Sequence, residues 1–285
     1  MEKINNTKPY LNLRFNFEKI LTNQINSCFK ILSNEWENQR LQIMSARRLD
    51  LIGNTIRVTE DLIPLAYKAF RECLKLLTGS TGKGDLYVKQ NSDFNASVFN
   101  DSQRFDVVIT SGLLLEFSEA ELMFVFGHEL GHVLFEHSLI PAEEILSESE
   151  NLKTHEALLL LRWMRATEIS ADRVGLLCAG DLNGAVSALF KTSSGLSNVE
   201  PKKILNSFQL QFNELKEHKQ SSLSNFDLLN THPMFAVRFK ALEMAFLDVV
   251  AMRKNPSLFS LNSFLELDRH ITNTINSLEE PDLLF

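Results

Sequence analysis

The 285-residue chain predicts a mainly helical α+β fold with one small sheet. Two patterns lead to this. Three short strand-like runs, DLYVKQ at 85–90, FNASVF at 94–99 and RFDVVIT at 104–110, follow one another closely, and almost everything after Gly112 repeats its apolar residues at helical spacing. A length of 285 residues with 44% hydrophobic content is enough to bury a substantial core.

In chain order, Phe17, Leu21, Ile25, Cys28 and Leu32 recur at helical spacing among Asn, Lys and Gln, which predicts an amphipathic helix. It can pack on the core, or serve as a lid or a docking helix for a regulatory partner. A second helical pattern runs from Thr59 to Leu77 and stops at Gly79. The following GSTGKG lacks the spacing of a phosphate-binding loop, with Leu77 where a glycine is required, and reads as a surface turn. The three strands are expected to pair antiparallel. Helices are then expected at about 119–136, 154–179, 183–191, 202–217 and 233–252, and the acidic stretch at 142–150 reads as a solvated loop. The expected division is a helical extension at 1–50, a catalytic domain at 51–252 and a helical tail packed on it at 253–285.

The net charge of −7 argues against a nucleic-acid partner, whose phosphates need a basic footprint. Cys28, Cys73 and Cys178 are odd in number and far apart, so ordinary thiols in a reducing compartment are expected. No secretory signal and no apolar run of transmembrane length is seen, which leads to the expectation of a cytoplasmic protein.

The chemistry concentrates in SEAELMFVFGHELGHVLFEH at 118–137. Ser118 and Glu121 have capping-box spacing, so a helix is expected to begin there. His128 and His132 lie four residues apart and project from one helix face, where two imidazoles can ligate one metal ion. Neutral imidazole suits zinc, and a catalytic zinc site keeps a position open for water. Glu129 stands where it can contact that water rather than the metal, as a general base. Gly127 and Gly131 are poor helix formers, which implies close approach of a neighbour or of substrate. A third ligand is required. Glu168 and Asp172 share a face of a second helix: Glu168 can complete the metal shell, and Asp172 can accept the spare N–H of a ligating histidine. Near the C-terminus, His232 precedes Pro233 at an expected helix start, either capping that helix or reaching into a cleft, and Arg238 follows five residues beyond the proline.

FNASVF at 94–99, VVITSGLL at 107–114, GHELGH at 127–132, EISAD at 168–172 and THP with Arg238 occur in this order. In these motifs the chain resembles metallopeptidase family 48, the HtpX and CAAX-prenyl-protease group of gluzincins, over roughly residues 50–250. The resemblance implies a zincin-type domain with one zinc per chain on His128, His132 and Glu168. Glu129 would be the base, with Asp172 supporting the ligands. It also implies that the segment containing Asn95, Ala96, Ser97 and Val98 is an edge strand on which substrate lies extended. The resemblance places His232 near the metal, either as an oxyanion donor or as a ligand closing the zinc in a resting state. Arg238 would anchor its helix or assist the site. The expected activity is zinc-dependent endopeptidase hydrolysis of extended protein segments. The alternative is a self-inhibited or non-proteolytic binding module on the same fold.

Overall fold

The computed structural model describes residues 9–29, 48–79, 82–100, 104–148, 152–217, 235–258 and 264–279. After a 3₁₀ turn at Tyr10–Leu13 come α1 (Asn16–Phe29), a short helical segment at 48–54, β1 (Ile56–Arg57) and α2 (Pro64–Thr78). The strands β2 (Gly84–Lys89), β3 (Ala96–Asn100) and β4 (Phe105–Thr110) follow, then α3 (Ser111–Glu116) and α4 (Glu119–Leu134). The rest is helical: α5 (Ala142–Glu148), α6 (Thr154–Ala179), α7 (Leu182–Ser194), α8 (Pro201–Glu217), α9 (Phe235–Lys254) and α10 (Leu265–Glu279).

The long helices match the sequence periodicity closely. Three expectations change. The sheet is mixed rather than antiparallel: its order is β1-β2-β4-β3, with β2 parallel to β4 and the other two pairings antiparallel. β3 lies between β2 and β4 in sequence yet sits at the edge, so β4 returns alongside β2 in the same direction. The pattern expected from Thr59 becomes a helix only at Pro64, with Ile63 as N-cap, because a proline at the first helical position has no N–H to leave unpaired. The acidic stretch at 142–150 includes α5, whose Ala142 and Ile145 are buried.

α4 and α6 form the centre of the molecule. The first is apolar on nearly every side, as a helix enclosed by other elements must be. Its start is fixed by the expected capping box, in which the Ser118 N–H donates to Glu121 Oε2 at 2.6 Å. Glu121 also accepts from the Ser187 hydroxyl and from Lys191 Nζ at 2.9 Å, which ties this helix end to α7. Burial opposes its charge, but these donors outweigh burial and lower its pKa.

The two central helices approach closely because small residues line their seam. A Cβ added at Gly127 would lie 2.7 Å from Cys178 Cβ, and one at Gly131 would lie 2.9 Å from Ala171 Cα. The neighbour implied by the helical glycines is therefore α6. On the other side of α4, Phe126 meets Phe70 of α2 edge to face, with ring centres 5.7 Å apart. No helix among the described residues is long and apolar enough to cross a membrane.

α1 and α10 pack on the same core from the two ends of the chain. Leu21 and Ile25 of α1 are buried with Trp163 and Ile169 of α6 and with Ile271 and Ile275 of α10. Of the predicted apolar stripe, Cys28 is exposed and Leu32 lies outside the described residues.

Candidate metal centre

His128 and His132 occupy successive turns of α4, and Glu168 faces them from α6. One ligand atom from each lies within 4.8 Å of the others. The Nε2 atoms of the histidines are 3.2 Å apart. Glu168 Oε2 is 3.7 Å from His128 Nε2, and Glu168 Oε1 is 3.5 Å from His132 Nε2. The close helix seam makes this possible, since long ligands from both helices would otherwise not meet at one point.

The outer nitrogens show what the site is arranged to accept. His128 Nδ1 lies 2.9 Å from Asp172 Oδ1, and a carboxylate can only accept, so Nδ1 carries the proton. His128 Nε2 is then a lone pair aimed at Glu168 and at the second histidine. Lone pairs and a carboxylate converging on one point repel one another unless a cation or proton lies among them. Two imidazoles and a carboxylate are also a zinc ligand set with room for water. The residues present therefore fit a zinc ion.

Arg238 of α9 holds the carboxylates from behind. Its Nε and Nη2 donate to Asp172 at 2.8 and 2.7 Å in a bidentate pair, and its Nη1 is 3.1 Å from Glu168 Oε2. Burial would raise the Asp172 pKa, but Arg238 and His128 hold it at about 2. Burial also opposes charge on His128, yet the Asp172 hydrogen bond and the Glu168 charge raise its pKa overall. Glu129 sits beside the cluster on α4. Desolvation by the surrounding protein, assisted by the Glu168 charge and opposed by His128 and Arg238, pushes its carboxyl up to about 7. A carboxyl near 7 is matched to proton transfer at neutral pH.

The structure thus brings His128, Glu129, His132, Glu168, Asp172 and Arg238 together. β3 is an edge strand next to α4, with Ala96 and Val98 half-buried against the core and Asn95 and Ser97 exposed. His232 lies outside the described residues.

Two residues at the site carried no role in the sequence reading. His132 Nδ1 lies 2.8 Å from His137 Nδ1, and His137 Nε2 lies 3.3 Å from Glu18 Oε1 on α1. His137 stands five places after His132, off the i,i+4 ladder, so helical spacing gave no reason to pair them. The chain ends α4 and turns back through Glu136, which has a left-handed φ of 58°, and this brings His137 under His132. Glu18 is more than a hundred residues away in sequence and carries no local signal.

Two histidines one turn apart on one helix, a glutamate beside the first and a second glutamate facing them from a neighbouring helix could hold one metal ion with a carboxyl group next to it. The sequence profile of peptidase family M48 matches residues 77–149 and 145–245, more than half of the chain, and the chain belongs to that family. It is also similar to the plastoglobule-localized metallopeptidase 48 of Arabidopsis thaliana chloroplasts, at 27% identity over 161 residues. That match covers 53% of this chain and 46% of the relative, so the chain aligns with about half of the relative's length. No solved structure gives a significant match. α1 and α10 lie outside the matched family region.

Proposed function

We propose that this chain is a zinc-dependent metalloendopeptidase that hydrolyses extended or unfolded protein segments, with residues 51–252 as its catalytic unit and the cytoplasm as its compartment. The convergence of His128, His132 and Glu168, with Glu129 one residue from the first histidine, carries the reading.

A zinc ion on those three side chains would supply a Lewis acid for the scissile carbonyl and bring the pKa of water to about 7. Glu129 would serve as general base and then general acid, accepting a proton from the attacking water and returning it to the leaving amine. Asp172 keeps the His128 ring in the tautomer that presents Nε2. Arg238 keeps Asp172 ionised and steadies Glu168. The free edge of β3, which starts at Ala96 just after Asn95 and includes Ser97 and Val98, offers backbone groups to an extended segment of any sequence, which suits an enzyme acting on unfolded chains. For His232, outside the described residues, the family resemblance leaves two roles, oxyanion donor or a ligand closing the zinc in a resting state.

The test pairs metal analysis with hydrolysis of unfolded casein. Glu129→Gln should keep fold and one zinc per chain and lose about 10²–10⁴ in rate, the usual worth of general acid–base catalysis. His128→Ala, His132→Ala and Glu168→Ala should each lose stoichiometric zinc. Activity of Glu129→Gln within a few fold of wild type would refute its role, and retention of zinc in all three ligand variants would refute the site.

A further inference from the structure

Glu18 is wholly buried, although it lies on an N-terminal helix outside the region matched by the family profile. A buried carboxylate is costly unless charge and hydrogen bonds compensate it. Glu18 has both. Arg14 Nε donates to its Oε1 at 2.6 Å, and the Ser170 hydroxyl donates to its Oε2. Its remaining neighbour is His137, whose buried Nε2 has no hydrogen-bond partner among the described residues and lies at ion-pair distance, 3.3 Å, from Glu18 Oε1.

We propose that Glu18, acting through His137, is a positioning residue of the metal centre that fixes the ring orientation and tautomer of His132. The proposal rests on reading His132 as a metal ligand. Its logic is a chain of donors and acceptors. An ionised carboxylate only accepts, so His137 turns an Nε2–H toward Glu18. A neutral imidazole with its proton on Nε2 has a lone pair on Nδ1. That lone pair faces His132 Nδ1 at 2.8 Å, so His132 carries its proton on Nδ1. His132 Nε2 is left as a lone pair, directed toward His128 Nε2 and Glu168. Without the carboxylate, His137 is free to hold its proton on Nδ1. His132 then accepts at Nδ1 and carries its proton on Nε2, a form that cannot bind metal through that atom.

The surroundings hold the relay in place. The His137 ring stands edge to face against His132 and Trp163, with ring centres 4.9 and 6.0 Å away. The left-handed residue Glu136, an uncommon conformation for a non-glycine, sets its position. α1 is secured beside it. The Phe15 N–H donates to Ser170 Oγ at 2.9 Å, and Trp163 Nε1 donates to Thr22 Oγ1 at 3.0 Å. Ser170 lies between Glu168 and Asp172 in sequence, so the helix that carries the third ligand also carries the anchor of Glu18. Each histidine then has its own carboxylate, with Asp172 of α6 on His128 and Glu18 of α1 on His132 through one intervening ring.

The experiment uses the full chain and measures zinc affinity by competition with a chromophoric chelator. It also measures the ¹⁵N shifts of the His132 ring, which report its tautomer, in zinc-free protein. Glu18→Gln can turn an amide N–H toward His137 and so permit the wrong tautomer. It should weaken zinc binding about 10–100-fold, as loss of support behind a ligand typically does, and shift the His132 ring signals away from the Nδ1–H pattern. Because Glu18 acts through His137, Glu18→Gln combined with His137→Gln should bind zinc no more weakly than His137→Gln alone. Leu21→Ala loosens the packing of α1 without touching the relay, and should lower the thermal midpoint while leaving zinc affinity unchanged. Zinc affinity of Glu18→Gln within about twofold of wild type would overturn the proposal. So would additive losses in the double variant, or a loss in Leu21→Ala equal to that in Glu18→Gln. Should Glu18→Gln not fold, the His137→Gln variant and the wild-type ring shifts decide, and an Nε2–H pattern on wild-type His132 overturns the relay. If wild type binds no zinc, or if His132→Ala keeps it, the reading of the site itself fails, a result distinct from all of these.

Discussion

Glu129 and Asp172 are both carboxylates at one metal centre, and their surroundings drive them in opposite directions. Asp172 faces a bidentate arginine and a histidine N–H, so its charge is held down to about pH 2. Among the described residues Glu129 has no such donor set, and desolvation lifts it from an ordinary 4.5 to about 7. Such a separation of environments assigns one carboxylate to fixed support and the other to proton transfer. It also has a consequence for stability in zinc-stripped protein. A carboxyl whose folded pKa is raised contributes stability below its ordinary value, and loses it as pH climbs from about 4.5 to about 7. His128, also raised, acts in the same direction, losing its contribution as pH rises through its folded pKa. Asp172, lowered, contributes above its ordinary 3.8 and loses that as pH falls toward about 2. Zinc-stripped wild type should therefore lose more thermal stability between pH 5 and pH 8 than zinc-stripped Glu129→Gln, which keeps the His128 contribution and lacks that of Glu129. Scanning calorimetry at both pH values checks this, and equal losses in the two proteins would show that Glu129 titrates as an ordinary exposed carboxyl.

At the scale of elements, the seam between α4 and α6 decides whether there is a site at all. Glycine costs a helix interior about 1 kcal/mol relative to alanine, so Gly127 and Gly131 weaken α4 taken alone. They are required because α6 occupies the space where their Cβ atoms would be. Gly127→Ala would place its methyl 2.7 and 2.8 Å from Cys178 Cβ and Sγ and 2.8 Å from the Val174 carbonyl. Overpacking of this kind costs about 1–3 kcal/mol, which outweighs the gain in helix propensity. The expected result is a lower thermal midpoint and weaker zinc binding, because the ligands of the two helices are pushed apart. Gly53→Ala, where an added Cβ meets nothing within 4 Å, should be neutral or slightly stabilising. Thermal unfolding of the pair checks the contrast, and equal effects would remove the close-approach explanation.

At the scale of the whole molecule, both ends of the described chain are pinned to α6 at one buried charge pair. Arg173 is almost fully buried, and its guanidinium lies over the rings of Phe15 and Phe264 at 5.4 and 5.3 Å. It donates to the Leu13 carbonyl at 3.3 Å and to Asp268 of α10 at 2.5 Å. The other oxygen of Asp268 accepts the Asn16 N–H at 2.8 Å, where α1 begins. Asp268→Ala would leave a buried cation without its anion, a loss of about 3–5 kcal/mol. Urea unfolding should show it, and a change below about 1 kcal/mol would mean that the arginine finds water or another acceptor. Since α1 also brings in Glu18, this clamp links the fold of the two flanking helices to the metal centre.

The amino-acid sequence by itself determined the long helices and the local half of the site. Periodicity located α4, α6, α7, α8 and α9 to within a few residues. The capping box at Ser118 and the pairing of His128 with His132 rest on spacings of three and four residues, which a helix converts directly into geometry. Glu168 and Asp172 could be named because they share a helix face and supply what two histidines lack. The parallel pairing of β2 with β4 was not legible, because alternation within a strand records which face is buried and not which neighbour it pairs with. Which side of the glycine seam faced a helix, how Arg238 divides its donors between two carboxylates, and why Glu18 is buried all depended on contacts between distant segments. His137 and Glu18 show the limit most clearly. One is carried past the helix end by a left-handed residue and the other arrives on a separate helix, so only the packed tertiary structure brings them to His132.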